Sequence, residues 1–166
     1  MPHIRKVYDS LHEIEVALEK LRELALQERQ YIIGVNLTGL ASSRVDIEKL
    51  LAHIGDLNAQ VSVQIAAACD ASGLTGDKSL SRLITVVPKP DRDMYARLQK
   101  TVRSNSAAVK NELAINQGLL QDSLAFTNNS LQTFTGILKA NSSNTYGKQG
   151  RFIEAIDQPR IICEDI

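Results

Sequence analysis

Apolar residues recur along this chain at alternating steps of three and four, and three long stretches carry the pattern. The first runs through Ile4, Val7, Leu11, Ile14, Leu18, Leu21, Ala25 and Ile32, with Glu28 the one residue out of place. That spacing is the a/d seam of a packed helix, and Glu13, Glu15, Glu19, Lys20, Arg22 and Glu23 wet the faces beside it. At the helical rise per residue the seam covers about 45 Å. Gly34, Val35, Asn36 and Gly39 interrupt it, which predicts a turn or kink over 34–39.

A second seam comes next, through Ile47, Leu50, Ile54, Leu57, Val61 and Ala68, with Gln64 as its polar exception, and Asp70-Ala71-Ser72-Gly73 closes it with a C-terminal glycine signal. Thr75-Gly76-Asp77-Lys78 then reads as loop, Ser79 to Val87 as a short helix or bend, and Pro88-Lys89-Pro90 as a stop, with Asp91 the expected N-cap of the next helix. The last pattern spans roughly 92–140. In it Tyr95, Leu98, Val102 and Val109 give way, after a four-residue slip, to Leu113, Leu120, Leu124, Leu131, Phe134 and Leu138. Asn105, Asn116, Gln117, Thr127, Asn128, Asn129 and Ser130 crowd this stretch, and such middling helix formers predict a helix that firms up when something packs on its Leu and Phe stripe.

Three such rods bury their stripes against one another. The expected fold is therefore all-α: an elongated antiparallel bundle of about three long helices over 1–140, with a flexible C-terminal tail over 141–166. A third helix that overhangs its partners leaves apolar surface for a foreign amphipathic helix. A second copy of the chain fits such an uncovered seam as well, so a homodimer is admitted. In the tail, Asn144-Thr145-Tyr146-Gly147-Lys148-Gln149-Gly150-Arg151 breaks the helical pattern and sets a lone aromatic beside two glycines, an arrangement suited to touching another protein.

Composition and charge narrow the function. Aromatic residues make up 4 % of the chain and Trp is absent, so burial must come from Leu, Ile, Val and Ala, as in packed helices. Lys plus Arg equals Asp plus Glu at 19 each, and no basic stripe stands ready for phosphates or anionic lipid, which argues against nucleic acid and membrane surfaces as partners. The opening Met1-Pro2-His3-Ile4-Arg5-Lys6 has no apolar h-region and no stretch is apolar enough to span a bilayer; Cys69 and Cys163 lie far apart. These features predict a cytoplasmic protein with reduced thiols and no membrane insertion.

Catalytic chemistry finds little support. His3, His12 and His53 are scattered, and there is no His-x-x-x-His, Cys-x-x-Cys or glycine-rich phosphate loop, so neither a metal nor another cofactor is expected. A phosphotransfer role for His53 lacks a basic residue close after it in Ala52-His53-Ile54-Gly55-Asp56, and Cys69, after three alanines, reads as a small buried thiol. A non-enzymatic protein is the expectation.

The order of these elements resembles the FlgN family of flagellar type III export chaperones. The first rod carries Gln27-Glu28 near its close, and the second carries Glu48-Lys49-Leu50-Leu51-Ala52-His53-Ile54. Asn116-Gln117-Gly118-Leu119-Leu120 is similar to the family's Asn-x-x-Leu-Leu segment. Thr145-Tyr146-Gly147-Lys148-Gln149-Gly150-Arg151, with Arg160-Ile161-Ile162 beyond it, is similar to the family's Tyr-Gly-x-x-Gly element and basic-apolar terminus, whereas Phe152-Ile153-Glu154-Ala155-Ile156 is more apolar than the family's spacer.

The resemblance implies a cytosolic chaperone that holds the C-terminal helices of the hook-associated proteins FlgK and FlgL, prevents their premature assembly and delivers them to the export gate. Client binding is assigned on that basis to Leu113, Leu120, Leu124, Leu131, Phe134 and Leu138, with Asn116 and Asn128 as polar contacts that fix register. Tyr146, flanked by Gly147 and Gly150, inherits docking on the gate protein FlhA. The competing reading is a structural coiled-coil adaptor or self-associating helical protein without a client.

Overall fold

The structure is a computed structural model that describes residues 2–76 and 78–142. The described residues form four α-helices: α1 (Pro2–Ile33), α2 (Leu37–Ala71), α3 (Leu80–Val86) and α4 (Lys89–Ser142). No strand occurs among them. The chain divides into two compact units, Met1–Leu120 and Gln121–Ile166.

The first unit is built on the seams. All the α1 seam residues from Ile4 to Ala25 are buried, and Glu28 is buried among them. Ile47, Ile54, Leu57, Val61 and Ala68 of α2 and Tyr95, Leu98 and Val109 of α4 complete the core, with Leu83, Ile84 and Val87 closing one part of it. Cys69 is a buried free thiol. Two side-chain contacts, Glu28 with Arg44 and Glu13 with His53, show α1 and α2 running in opposite directions. Two hydrogen bonds show α4 running in the same direction as α1. The Tyr95 hydroxyl donates to the Ile4 carbonyl at 2.8 Å, and Asn116 Nδ2 donates to the Ala25 carbonyl at 2.7 Å.

Local chemistry fixes where the helices stop. Asn36 caps α2, its side chain accepting from the Gly39 N–H at 2.9 Å. Gly39 is needed there because the Tyr31 ring lies 2.7 Å from where a Cβ would stand. The left-handed residue of the turn is Val35 (φ 51°) rather than the glycine before it, an uncommon conformation for a β-branched side chain. At the end of α2, Gly73 adopts φ +71°. The Leu74 N–H bonds to the Cys69 carbonyl and the Gly73 N–H to that of Asp70, the Schellman pairing that the glycine signal predicts. Leu74 then packs against the core.

Two boundaries differ from the sequence reading. Asp91 does not cap α4: the helix begins at Lys89, and the Asp91 and Arg92 N–H groups both bond to the Pro88 carbonyl. Pro90 is tolerated because first-turn N–H groups need no intrahelical partner, so a proline pair that reads as a stop is a helix start. The slip expected between Val109 and Leu113 is also absent from the buried positions. Val109 and Asn116, one heptad apart, are both buried while Leu113 is only partly so. Counting apolar residues alone turned a polar seam residue into an apparent change of phase.

Candidate functional site

The residues that broke the apolar pattern meet one another. Glu28, fully buried, stands in the α1 seam, and Asn116, 1 % exposed, stands in that of α4. Asn116 Nδ2 donates to Glu28 Oε2 at 2.8 Å as well as to the Ala25 carbonyl, and its Oδ1 accepts from Arg29 Nε at 3.0 Å. The Arg29 guanidinium also reaches the Glu112 carboxylate and, at 3.3 Å, the Glu112 carbonyl. From α2, Arg44 pairs with the other Glu28 oxygen at 3.3 Å. A buried carboxylate is costly unless its lone pairs are used, and here both oxygens have donors. The amide of Asn116 is thus committed to its own bundle, where it locks the lengthwise register of α1 and α4.

A second polar contact works at the other end of α1. Tyr95 is 3 % exposed, its ring stands edge-on to Tyr8 with centroids 5.4 Å apart, and its hydroxyl proton is held by the Ile4 carbonyl. Burial, reinforced by the negative charge of Asp91 and Asp9, pushes its pKa up to about 12.

In the second unit the described residues are the 121–142 portion of α4. Its apolar side chains face water. Leu124 is 64 % exposed, Leu131 58 %, Phe134 65 % and Leu138 67 %. Leu124, Leu131 and Leu138 recur every seven residues, so they share one face, and Phe134 lies one turn before Leu138. Asn128 is exposed one turn beyond Leu124. Phe126 and Ile137 are exposed too, eleven residues or three turns apart, and they widen the face. The sequence reading left both out because it tracked a single a/d line.

This portion has no charged residue between Asp122 and Lys139. Its threonines turn their hydroxyls back on the helix: Thr127, Thr133 and Thr135 each donate to the carbonyl four residues earlier at 2.9 Å. With those hydroxyls already satisfied, the threonines add little polarity to a surface that exposes Leu124, Phe126, Leu131, Phe134, Ile137 and Leu138 beside Asn128, Asn129 and Gln132.

The sequence-predicted residues therefore fall into three places. Asn116 is buried and Leu113 and Leu120 are partly buried in the first unit; Leu124, Asn128, Leu131, Phe134 and Leu138 are exposed in the second. Tyr146, Gly147, Gly150 and Cys163 lie outside the described residues. His53 is half-exposed and faces Glu13. Among the described residues no cluster of three His, Cys, Asp or Glu could hold a metal ion, and no helix is long and apolar enough to cross a membrane.

Such a chain is an all-α, seam-packed protein that leaves a neutral apolar helix face in solvent. The FlgN protein family matches it over residues 1–152, and the chain belongs to that family, the flagellar export chaperones. The match takes in the Tyr146, Gly147 and Gly150 segment. Hook-associated proteins of the flagellum are the kind of partner this family suggests. No curated protein and no solved structure matches the chain.

Proposed function

We propose that this protein is a cytoplasmic chaperone for FlgK and FlgL, that it seats their C-terminal helices on the exposed face of α4, and that it carries them to the export gate protein FlhA. One observation carries the reading: Leu124, Leu131, Phe134 and Leu138 stand more than half exposed on one face of a helix in a flagellar export chaperone. An unassembled client helix presents an apolar stripe of its own, and covering one stripe with the other removes both from water and blocks premature assembly. Asn128, on the same portion, is the polar contact that sets the client's register.

The seat is built for release. The residues between Asp122 and Lys139 carry no charge, so no client salt bridge has to be broken there, and the Asn, Ser and Thr among them dilute the apolar area. Tyr146, with Gly147 and Gly150 supplying turn freedom, is the residue that docks on FlhA. The chaperone domain is taken as 1–140 and the docking tail as 141–166.

Titration of the full chain with a peptide of the FlgK C-terminal helix tests the proposal by calorimetry. Covering a Leu or Phe that is more than half exposed is worth roughly 1–2 kcal/mol, so Leu131→Asp and Phe134→Asp should each weaken binding by about tenfold or more while the helical circular dichroism holds. Tyr146→Ala should leave client affinity unchanged and weaken the complex with the cytoplasmic domain of FlhA. Self-association of the chain with no uptake of peptide would instead favour the clientless adaptor.

A further inference from the structure

The apolar face on α4 has a covalently attached candidate to cover it. Six large apolar side chains, Leu124, Phe126, Leu131, Phe134, Ile137 and Leu138, stand exposed there. The chain continues for 24 residues past Ser142, and these include Phe152, Ile153, Ile156, Ile161 and Ile162. Phe152, Ile153 and Ile156 have the i, i+1, i+4 spacing that puts apolar side chains on one side of a helical turn. The family match ends at residue 152, so most of this apolar segment lies beyond the matched region and calls for an explanation of its own.

We infer that the segment 152–162 occupies the α4 face when no client does, acting as a built-in competitor; this rests on the reading of that face as the client seat. Length permits it. The nine residues between Ser142 and Phe152 reach roughly 30 Å when extended, and the 19 residues of helix from Leu124 to Ser142 cover only about 27 Å. Gly147 and Gly150 in that tether allow the chain to reverse. Tethering also favours this occupant over a second copy. A short tether holds its segment at an effective concentration in the millimolar range, far above that of free chaperone at micromolar levels.

The face suits a guest of modest affinity. It is apolar and uncharged from 123 to 138, so it takes up Phe and Ile side chains without demanding matched charges, while Glu154, Asp157 and Arg160 of the segment can remain in water. A segment whose free counterpart would bind at about 0.1 mM is then seated in roughly nine molecules out of ten. A client helix has to displace it. Apparent client affinity is lowered about tenfold by that occupancy.

The test uses the full-length protein with Phe152, Ile153 and Ile156 changed together to Asp, beside a control with the same three changed to Leu. Hydrogen exchange of residues 124–138 is monitored without client at 1 and 100 µM protein, and the affinity for the FlgK C-terminal helix peptide is measured separately. The inference predicts faster exchange in the Asp variant than in the wild type at both concentrations, near wild-type exchange in the Leu control, and client binding about tenfold tighter in the Asp variant. Unchanged exchange overturns it. So does protection that grows with protein concentration, which would identify a second copy as the cover, or weaker client binding in the Asp variant, which would make the segment part of the client seat. If exchange changes as predicted but no variant takes up peptide, the self-contact stands and the client assignment fails.

Discussion

Replacing Asn116 by Leu should destabilise the bundle even though it restores an unbroken apolar seam. The side chain now donates to Glu28 Oε2 and to the Ala25 carbonyl and accepts from Arg29 Nε. With Leu in its place, Glu28 keeps Arg44 on one oxygen, but the other is stranded at a position with no water access. A stranded buried acceptor costs roughly 1–3 kcal/mol; the loosened Arg29 and Ala25 groups add to this, and added apolar burial returns roughly 1 kcal/mol. The net expectation is a loss of about 2–3 kcal/mol. Glu28→Leu should cost less, about 1 kcal/mol, because Asn116 retains Ala25 and Arg29 while Arg44 is already half in solvent and keeps Glu48 at 4.0 Å. The double variant should come back close to wild type, since two facing leucines complete the seam that each exception interrupts, giving a coupling of about 3–4 kcal/mol. Urea denaturation monitored by circular dichroism measures all four proteins, with the midpoint moving and the slope unchanged. Additive losses, or an Asn116→Leu protein more stable than wild type, would refute the claim that the two polar residues are held in the core by each other.

Single sites give further expected outcomes. The raised pKa of Tyr95 keeps its neutral form in the folded state, so its contribution is intact below pH 10, where the unfolded hydroxyl begins to ionise, and drains away as pH climbs to about 12. Roughly 2–3 kcal/mol should be lost across that window, and Tyr95→Phe should flatten the loss in alkaline denaturation curves. Val35→Gly should raise the melting temperature, because it relieves a left-handed β-branched residue that is 77 % exposed and gives up little packing; a gain of about 0.5–1 kcal/mol remains after the entropic cost of glycine. Gly39→Ala should lower stability by driving the Tyr31 ring from its place and breaking its 2.8 Å bond with Gln27, and Tyr31→Ala in the same chain should recover part of that loss.

Much of this architecture is written in the spacing of apolar residues. The α1 seam holds from Ile4 to Ala25, and the Asn36 turn and the Gly73 terminator stand where the sequence marks them, because hydrophobic period and capping chemistry are local properties. Local pattern does not carry pairing across the bundle. Glu28 and Asn116 are each visible as a flaw in a seam, yet nothing near either residue says that the other completes it 88 positions away. For the same reason the buried Asn116 reads in sequence as one more polar member of a binding stripe. The start of α4 was obscured by a different ambiguity, since prolines end one helix and open another with equal ease. Exposure of Leu124, Leu131, Phe134 and Leu138 is likewise not a property of their spacing: the same heptad serves a buried seam in α1 and a solvent-facing strip in α4.

The measurement that bears most directly on that strip is amide hydrogen exchange along the full chain, read with and without a saturating amount of the FlgK C-terminal helix. Slowed exchange confined to 124–138, and lost in the Phe134→Asp variant, is the predicted result. Slowing restricted to α1 and α2, with 124–138 unchanged, would contradict the account and move the client to another surface.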